Sequence, residues 1–237
     1  MVELADALAS GASGSNLVRV QVPPSAPKDQ TLLDNFMVIR QGFLFLRTPD
    51  INAIIMSYWW GKPGKTGFRM IIRDVKLEDA ERLVEIYSHY VLNTAVSFEY
   101  EVPTVEEFRQ RIEKITAKFP YLVCEKDGKV IGYVYAGEYS ARSAYSWTAA
   151  MSIYVDKDYR RQGIGTMLYK EIEPKLKDMG IINLLAGTAY CDPEDEYLTH
   201  ASSCFHMHQG YYEVAHMKKI GKKFDRWYDL KWFEKEI

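Results

Sequence analysis

The chain has 237 residues, enough for one large domain or for one domain with an appendage. Hydrophobic residues at 47% and charged residues at 26% describe a soluble globular protein with ample core material. A formal net charge of −2 leaves no electrostatic footprint for nucleic acid or an anionic membrane surface.

At the N-terminus, MVELADALASGASGSN opens with acids rather than a basic region, so no secretory leader is expected. The apolar pieces FMVIRQGFLFL and INAIIMSYWWG are broken by Arg40, Arg47, Pro49 and Asp50, and no stretch reads as a bilayer span. GASGSN and VPPSAP are rich in breakers, so residues 1–69 are expected to be an irregular N-terminal extension. The codons of NLVRVQV can be spelled CTTGG, TTCGAGT, CCAAG, a stem, loop and complementary stem resembling a transfer-RNA T-arm. Together with Met70 standing just before the first regular strand, this suits a mis-assigned start; a genuine extension is the alternative.

From Met70 the patterns become regular. LEDAERLVEIYSHYVL (77–92) carries an apolar helical face at Leu83, Ile86, Tyr87 and Tyr90. TVEEFRQRIEKITAK (104–118) opens with a T-x-x-E capping box, Thr104 and Glu107, and sets Phe108, Ile112 and Ile115 on one side. YLVCEKDGKVIGYVYAG (121–137) predicts two strands joined at Asp127-Gly128, a hairpin turn signal. MSIYV (151–155) predicts a strand, followed by DKDYRRQGIG and a helix through Ile164, Met167, Leu168, Ile172, Leu176 and Met179. Pro174 lies inside that pattern and predicts a kink or an early end. INLLAGTAY (182–190) reads as a buried strand, 199–209 as a helix, and YYEVAHMKKIG and RWYDLKWFE as closing strands. The expected class is α/β with a mixed sheet.

Three cysteines, Cys124, Cys191 and Cys204, have no paired spacing, and a reducing cytoplasm is the simplest home. Cys204 and His206 lie near His200 and His208, but without a C-x-x-C pair no metal is expected. The loop after SIYV raises a sharper question. A strand that ends in a glycine loop at a helix N-terminus exposes unpartnered N–H groups, which attract phosphate. An ordinary strand–turn–helix with Arg160 and Arg161 in solvent is the alternative on this stretch alone.

Arg160-x-x-Gly163-x-Gly165 after a strand resembles the acetyl-CoA signature of the GCN5-related N-acetyltransferases (GNAT), specifically the phosphinothricin/methionine-sulfoximine branch. Further ordered matches are IRDVKLEDAERLVEIYSHYV, VSFEYEVPT, KFPYLVCEKDGKVIGYVYAG, ARSAYSW, FHMHQGY and GxKxxRWYD, covering about residues 70–237. The resemblance implies a mixed, mostly antiparallel central sheet with helices on both faces, over a domain spanning 70–237. It implies acetyl-CoA as co-substrate, a small amino-acid-like amine as acceptor, and a homodimer without nucleic-acid or membrane partners. By the same resemblance Ile153, Tyr154 and Val155 pair with the pantetheine arm, as in strand addition. Arg160, Arg161, Gln162, Gly163, Ile164, Gly165 and Thr166 then cradle the pyrophosphate.

Acetyl transfer to an amine needs a neutral nitrogen, a stabilised oxyanion and a proton for the thiolate. The glutamate proposed as the family's base lies five residues before the valine that closes the strand, and Ala150 stands there. Glu101 matches an acidic position of the family and is the replacement candidate, or a solvated loop residue. Tyr190 is the candidate proton donor to the thiolate, or a strand-end aromatic. His206 matches the histidine of S-x-x-x-H-x-x-x-G-[FY], with Ser202, Gly210 and Tyr211, and is expected to pack a helix. Phe98, Arg142, Tyr145 and Trp147 are the expected acceptor-pocket walls, with a surface arginine the alternative for Arg142. A transferase for a polyamine or a peptide N-terminus, and a non-catalytic acetyl-CoA binder, remain open beside the main reading.

Overall fold

The structure, a computed structural model, describes residues 18–21, 36–40, 43–46 and 70–237. The chain divides into two compact units, Met1–Gly67 and Phe68–Ile237. In the first, β1 (Val18–Gln21), β2 (Phe36–Arg40) and β3 (Phe43–Leu46) form an antiparallel sheet in the order β1-β3-β2. The stretch read as irregular therefore carries three short strands, each rich in β-branched, leucine or aromatic residues. The rest of that reading lies outside the described residues.

The second unit begins with β4 (Met70–Asp74), a 3₁₀ turn at Leu77–Asp79 and α1 (Ala80–Asn93). Helix α2 (Val105–Thr116) starts with the expected capping box. Glu107 N–H donates to Thr104 Oγ1 at 3.2 Å, and Thr104 N–H donates to the Glu107 carboxylate at 2.7 Å. Strands β5 (Tyr121–Lys126) and β6 (Lys129–Glu138) are joined by Asp127 and Gly128, both at positive φ (53° and 80°). This is the conformation for which Asp-Gly is suited. Then follow β7 (Thr148–Val155), α3 (Ile164–Asp178), β8 (Asn183–Tyr190), α4 (Ala201–His208), β9 (Tyr212–Lys223) and β10 (Arg226–Glu236). Helix α3 runs through Pro174 and ends at Asp178, so the proline does not shorten it.

The seven strands are ordered β4-β5-β6-β7-β8-β10-β9, and every neighbouring pair is antiparallel except β7–β8. Helices cover both faces of this mixed sheet. On one face Ile164, Leu168, Ile172 and Leu176 of α3 pack on Leu122, Val134, Met151, Leu184 and Phe233. On the other, Leu83, Tyr87, Phe108 and Ile112 of α1 and α2 pack on Tyr121, Val123 and Tyr133. At about 1.5–3 kcal/mol for each fully buried large side chain, these two layers are the main source of stability.

Among the described residues, both layers are complete within 70–237, with helices on each face of the seven-stranded sheet. We therefore propose that this part folds without the first 69 residues. A chain beginning at Met70 is expected to keep the full-length melting temperature by scanning calorimetry. A drop beyond about 4 °C, roughly 1 kcal/mol for a domain of this size, would give the extension a structural role.

Candidate active site

Strand β7 pairs with β6 from Ala149 to Val155, but with β8 only at Thr148–Ala150 against Asn183–Leu185. Strand β8 continues to Tyr190 beside β10 alone, so the sheet opens into a wedge after Ala150. The Asp156 N–H donates to Ile131 O at 2.9 Å, which fixes the alternation along β7. Tyr154 and Ser152 thus turn their peptide groups to β6, whereas Ile153 and Val155 turn theirs to the wedge. Those of Val155 meet the Tyr90 hydroxyl, which accepts from its N–H at 3.2 Å and donates to its carbonyl at 2.5 Å. Of the three strand residues expected to hold a pantetheine arm, Tyr154 faces β6 and Val155 is occupied by Tyr90, which leaves the peptide groups of Ile153 for the opening. Tyr90 was missed by sequence reading, which assigned it only to the apolar face of α1.

The loop after β7 is shaped by two left-handed residues. Arg161 has φ 61° and Gly163 has φ 78°, and Gly163 is the N-cap of α3. The first intrahelical bond runs from Met167 N–H to Gly163 O at 3.0 Å, so the N–H groups of Ile164, Gly165 and Thr166 have no partner in the helix. Alternating handedness turns successive N–H groups to one side as an anion-binding concavity, and the helix dipole adds to it. Arg160 lays its guanidinium 4.9 Å from the centre of the Tyr90 ring. The two glycines serve different ends. A Cβ on Gly163 would meet nothing within 4 Å, so its need is the positive φ; a Cβ on Gly165 would lie 2.8 Å from Phe205 Cε2. Gly165 thus lets α3 approach α4. Ile164 is buried and offers only its backbone, while Thr166 Oγ1 accepts from Gln209 Nε2 at 3.1 Å. Arg161, Gln162 and Gly163 are exposed.

Side-chain parity sorts the remaining candidates. Ala149 and Met151 lie in the α3 layer with Leu184 and Ala186, so Ala150, Ser152 and Tyr154 point to the α1/α2 face. Ala150 stands on the last rung shared with β8, at the apex of the wedge. Tyr190 has the parity of Leu184 and points to the other face. It lies five residues beyond Leu185, roughly 16 Å along the strand. Its ring stacks on His200 at 4.7 Å, and Lys231 Nζ sits 3.8 Å from the ring centre. Neighbouring His216 holds Asp229 at 2.7 Å and meets the Tyr190 ring edge-on at 5.3 Å. Tyr190 and the base position therefore do not face each other.

Glu101 is exposed on the loop between α1 and α2. Glu99, two residues earlier, is half-buried and accepts from Arg111 Nη1 at 2.8 Å. Burial pushes the Tyr135 and Tyr154 phenols upward, and the Glu99 charge adds to both. The Glu99 charge is thus felt by Tyr154, on the same face of β7 as Ala150, whereas the sequence reading singled out Glu101. Phe98 stacks on Gly221, where a Cβ would come within 2.5 Å of its ring, and lies 6.4 Å from Tyr228. Tyr145 meets Tyr139 edge-on at 5.6 Å, Trp147 approaches Gly180, and both are exposed, as is Arg142. Phe98 packs with the β9–β10 end, and the other three sit before β7; the structure does not gather the four on one wall.

His206 is a core residue, as expected. Its Nδ1–H donates to Ser202 O at 2.8 Å, and its Nε2 accepts from the Tyr169 hydroxyl at 2.9 Å. His200 donates from Nε2 to Cys191 O, and His208 from Nδ1 to Cys204 O. Burial lowers His206 from 6.5 to about 4. Because the folded value is depressed, the unfolded chain takes up the proton first as pH falls. The neutral ring's contribution is complete above about 6.5 and is lost between there and about 4, at roughly 1.4 kcal/mol per pH unit. Urea unfolding from pH 7 to 4.5 is expected to show this loss, and His206→Gln to flatten that segment. An unchanged slope in the variant would remove His206 as its cause.

Comparison with known proteins agrees with this architecture. The family model of the acetyltransferase (GNAT) domain matches residues 72–232. The phosphinothricin N-acetyltransferase of Alcaligenes faecalis is 35% identical over 159 residues, 67% of this chain and 78% of that protein. The L-methionine sulfoximine/L-methionine sulfone acetyltransferase of Salmonella typhimurium is 28% identical over 71% of this chain and 95% of its own length. Among solved structures, a GNAT superfamily phosphinothricin acetyltransferase from Sinorhizobium meliloti in complex with acetyl-CoA superposes with a TM-score of 0.65 at 29% identity, covering 71% of this chain and 88% of that one. The wedge, the amide cradle and the match over most of its length have one reading: the chain belongs to the GNAT family of acetyltransferases.

Proposed function

We propose that the protein is an acetyl-CoA-dependent N-acetyltransferase whose acceptor is the amine of a small amino-acid-like molecule, of the phosphinothricin or methionine sulfone type. The observation that carries this is the wedge between β7 and β8 running into an amide cradle at the start of α3. Bound acetyl-CoA supplies an activated acetyl thioester. The N–H groups of the Arg161–Thr166 loop hold its diphosphate, and the peptide groups of Ile153 hold its arm. Relatives of known acceptor support the small amino-acid-like amine, and those names belong to them. Three free cysteines suit a reducing cytoplasm, and we take the active form as a homodimer.

Deprotonation of the amine is the step with least support from this chain's own groups. A methyl side chain at Ala150 accepts no proton, so Glu101, or Glu99 beside it, supplies the carboxylate, or water takes the proton. Tyr190 remains the candidate donor to the departing thiolate. Ala150 also favours a second reading, a protein that binds acetyl-CoA without turning it over. Thiol release on a panel of amines, including phosphinothricin and methionine sulfone, separates the two.

Two outcomes are expected. Gly163→Val places a branched residue at φ 78° and disrupts the cradle, lowering acetyl-CoA affinity at least tenfold, about 1.4 kcal/mol, by calorimetric titration. A folded variant with unchanged affinity overturns the cradle assignment. The wild type should be slow at neutral pH and accelerate as pH rises, because more amine is already deprotonated in solution. Ala150→Glu, once its fold is verified, should raise the rate at pH 7 at least tenfold and flatten the profile, since general-base assistance is typically worth about 10²–10⁴. No acceleration over a brisk wild type would move the base to the α1–α2 loop.

A further inference from the structure

Three consecutive residues of β6, Val130, Ile131 and Gly132, seat the loop that carries the amide cradle. At the start of the loop, Asp156 N–H donates to Ile131 O at 2.9 Å. At its end Ile164, the first residue of α3, settles against Gly132, where a Cβ would lie 3.2 Å from Ile164 Cγ2. Val130 offers its carbonyl to α1, and Arg82 Nε donates to it at 2.9 Å. The same guanidinium reaches the Asp156 carboxylate through Nη2. One planar fork thus ties both the strand and the loop entry to α1, a task to which a lysine ammonium is poorly shaped.

Asp156 is the centre of this arrangement. It is 8% exposed, and both of its carboxylate oxygens are engaged. Oδ2 meets Arg82, while Oδ1 accepts from Asp158 N–H at 3.0 Å and caps the 3₁₀ turn Lys157–Tyr159. Tyr159 N–H closes that turn on Asp156 O at 2.9 Å. The turn leads straight to Arg160 and then to Arg161, the first of the two left-handed residues. The direction in which the cradle leaves β7 is therefore set at Asp156. Burial pushes its carboxyl up, but Asp158 N–H and the Arg82 guanidinium together hold it below its ordinary range. A charged carboxylate left unpaired at the entry to an anion site would oppose a diphosphate. Arg82 meets that charge from the α1 side, and also pairs at 2.6 Å with Glu85, which is exposed and screened by water. A buried ion pair is in itself a weak source of stability, because apolar side chains of similar volume often serve as well.

We propose that Arg82 and Asp156 are positioning residues for the diphosphate: they fix the angle at which the loop leaves β7, so that the Arg161–Thr166 amides converge. This rests on the acetyltransferase reading above and extends it to a pair at the base of the loop. A pair that only supported the fold would weaken every part of the coenzyme site alike. A positioning pair weakens the diphosphate contacts and spares the arm.

The test titrates the full chain with CoA and with pantetheine, which lacks the diphosphate. Arg82→Lys and the double variant Arg82→Met with Asp156→Asn are compared with wild type by calorimetry. The double change leaves no unpaired buried charge. Wild type is expected to prefer CoA. In the double variant CoA affinity should fall at least tenfold, about 1.4 kcal/mol, while pantetheine affinity stays within about twofold. Arg82→Lys, which keeps the charge but not the fork, should lie between the two. Equal losses for both ligands, or no change in either, overturn the proposal alone. Wild type that does not prefer CoA to pantetheine overturns the cradle reading and the proposal with it. Should the double variant fail to fold, Arg82→Lys decides by the same ratio.

Discussion

Among the described residues, three pairs, Thr148–Ala150 against Asn183–Leu185, are the only ladder joining β4–β7 to β8–β10. The sheet is otherwise two sheets side by side, and everything around it compensates for that short seam. On one face a single hydrophobic core spans the seam, in which α3 packs on β5, β6 and β7 and α4 on β8 and β10. On the other, the segment after α1 reaches across. Ala95 N–H donates to Tyr197 O at 3.0 Å, Tyr100 donates to Lys222 O at 2.5 Å, and Lys223 Nζ donates to Ser97 O at 2.6 Å. An opening in a sheet would expose costly backbone groups unless something else fixed the halves.

The same seam organises the chemistry. Because side chains alternate along each strand, the apex offers different residues to the two faces. The α3 face carries Tyr190 and the helix that opens at the glycine loop; the α1/α2 face carries Ala150, Ser152 and Tyr154.

Much of the fold was legible because its signals are local. The capping box at Thr104–Glu107 and the Asp127-Gly128 turn act over a few residues, and each stands where its pattern placed it. The glycine loop was legible as a cradle, but not the division of roles within it, since the need for Gly165 comes from Phe205, forty residues on. The α3 helix outlasted Pro174 because packing of Ile172 and Leu176 outweighs one lost backbone bond. The site was less legible for the same reason. Which of Glu99 and Glu101 turns toward the sheet depends on Arg111, a helix away, and the union of Phe98 with Gly221 depends on a hairpin more than a hundred residues later. Pairings of that kind leave no periodic trace in a single sequence.

An unpaired strand edge in the middle of a sheet is also a hazard, since any extended peptide can add to it. Natural edges are commonly guarded by charge, bulges or covering segments. Here the guard is a single phenol. The Tyr90 hydroxyl occupies both the donor and the acceptor of Val155, with the Arg160 guanidinium lying over its ring. A foreign strand zipping along β7 would run out of partners at that rung, and it would have to dislodge a side chain anchored in the core layer of α1. Tyr90 thus limits the length of ladder that could form along this edge of β7.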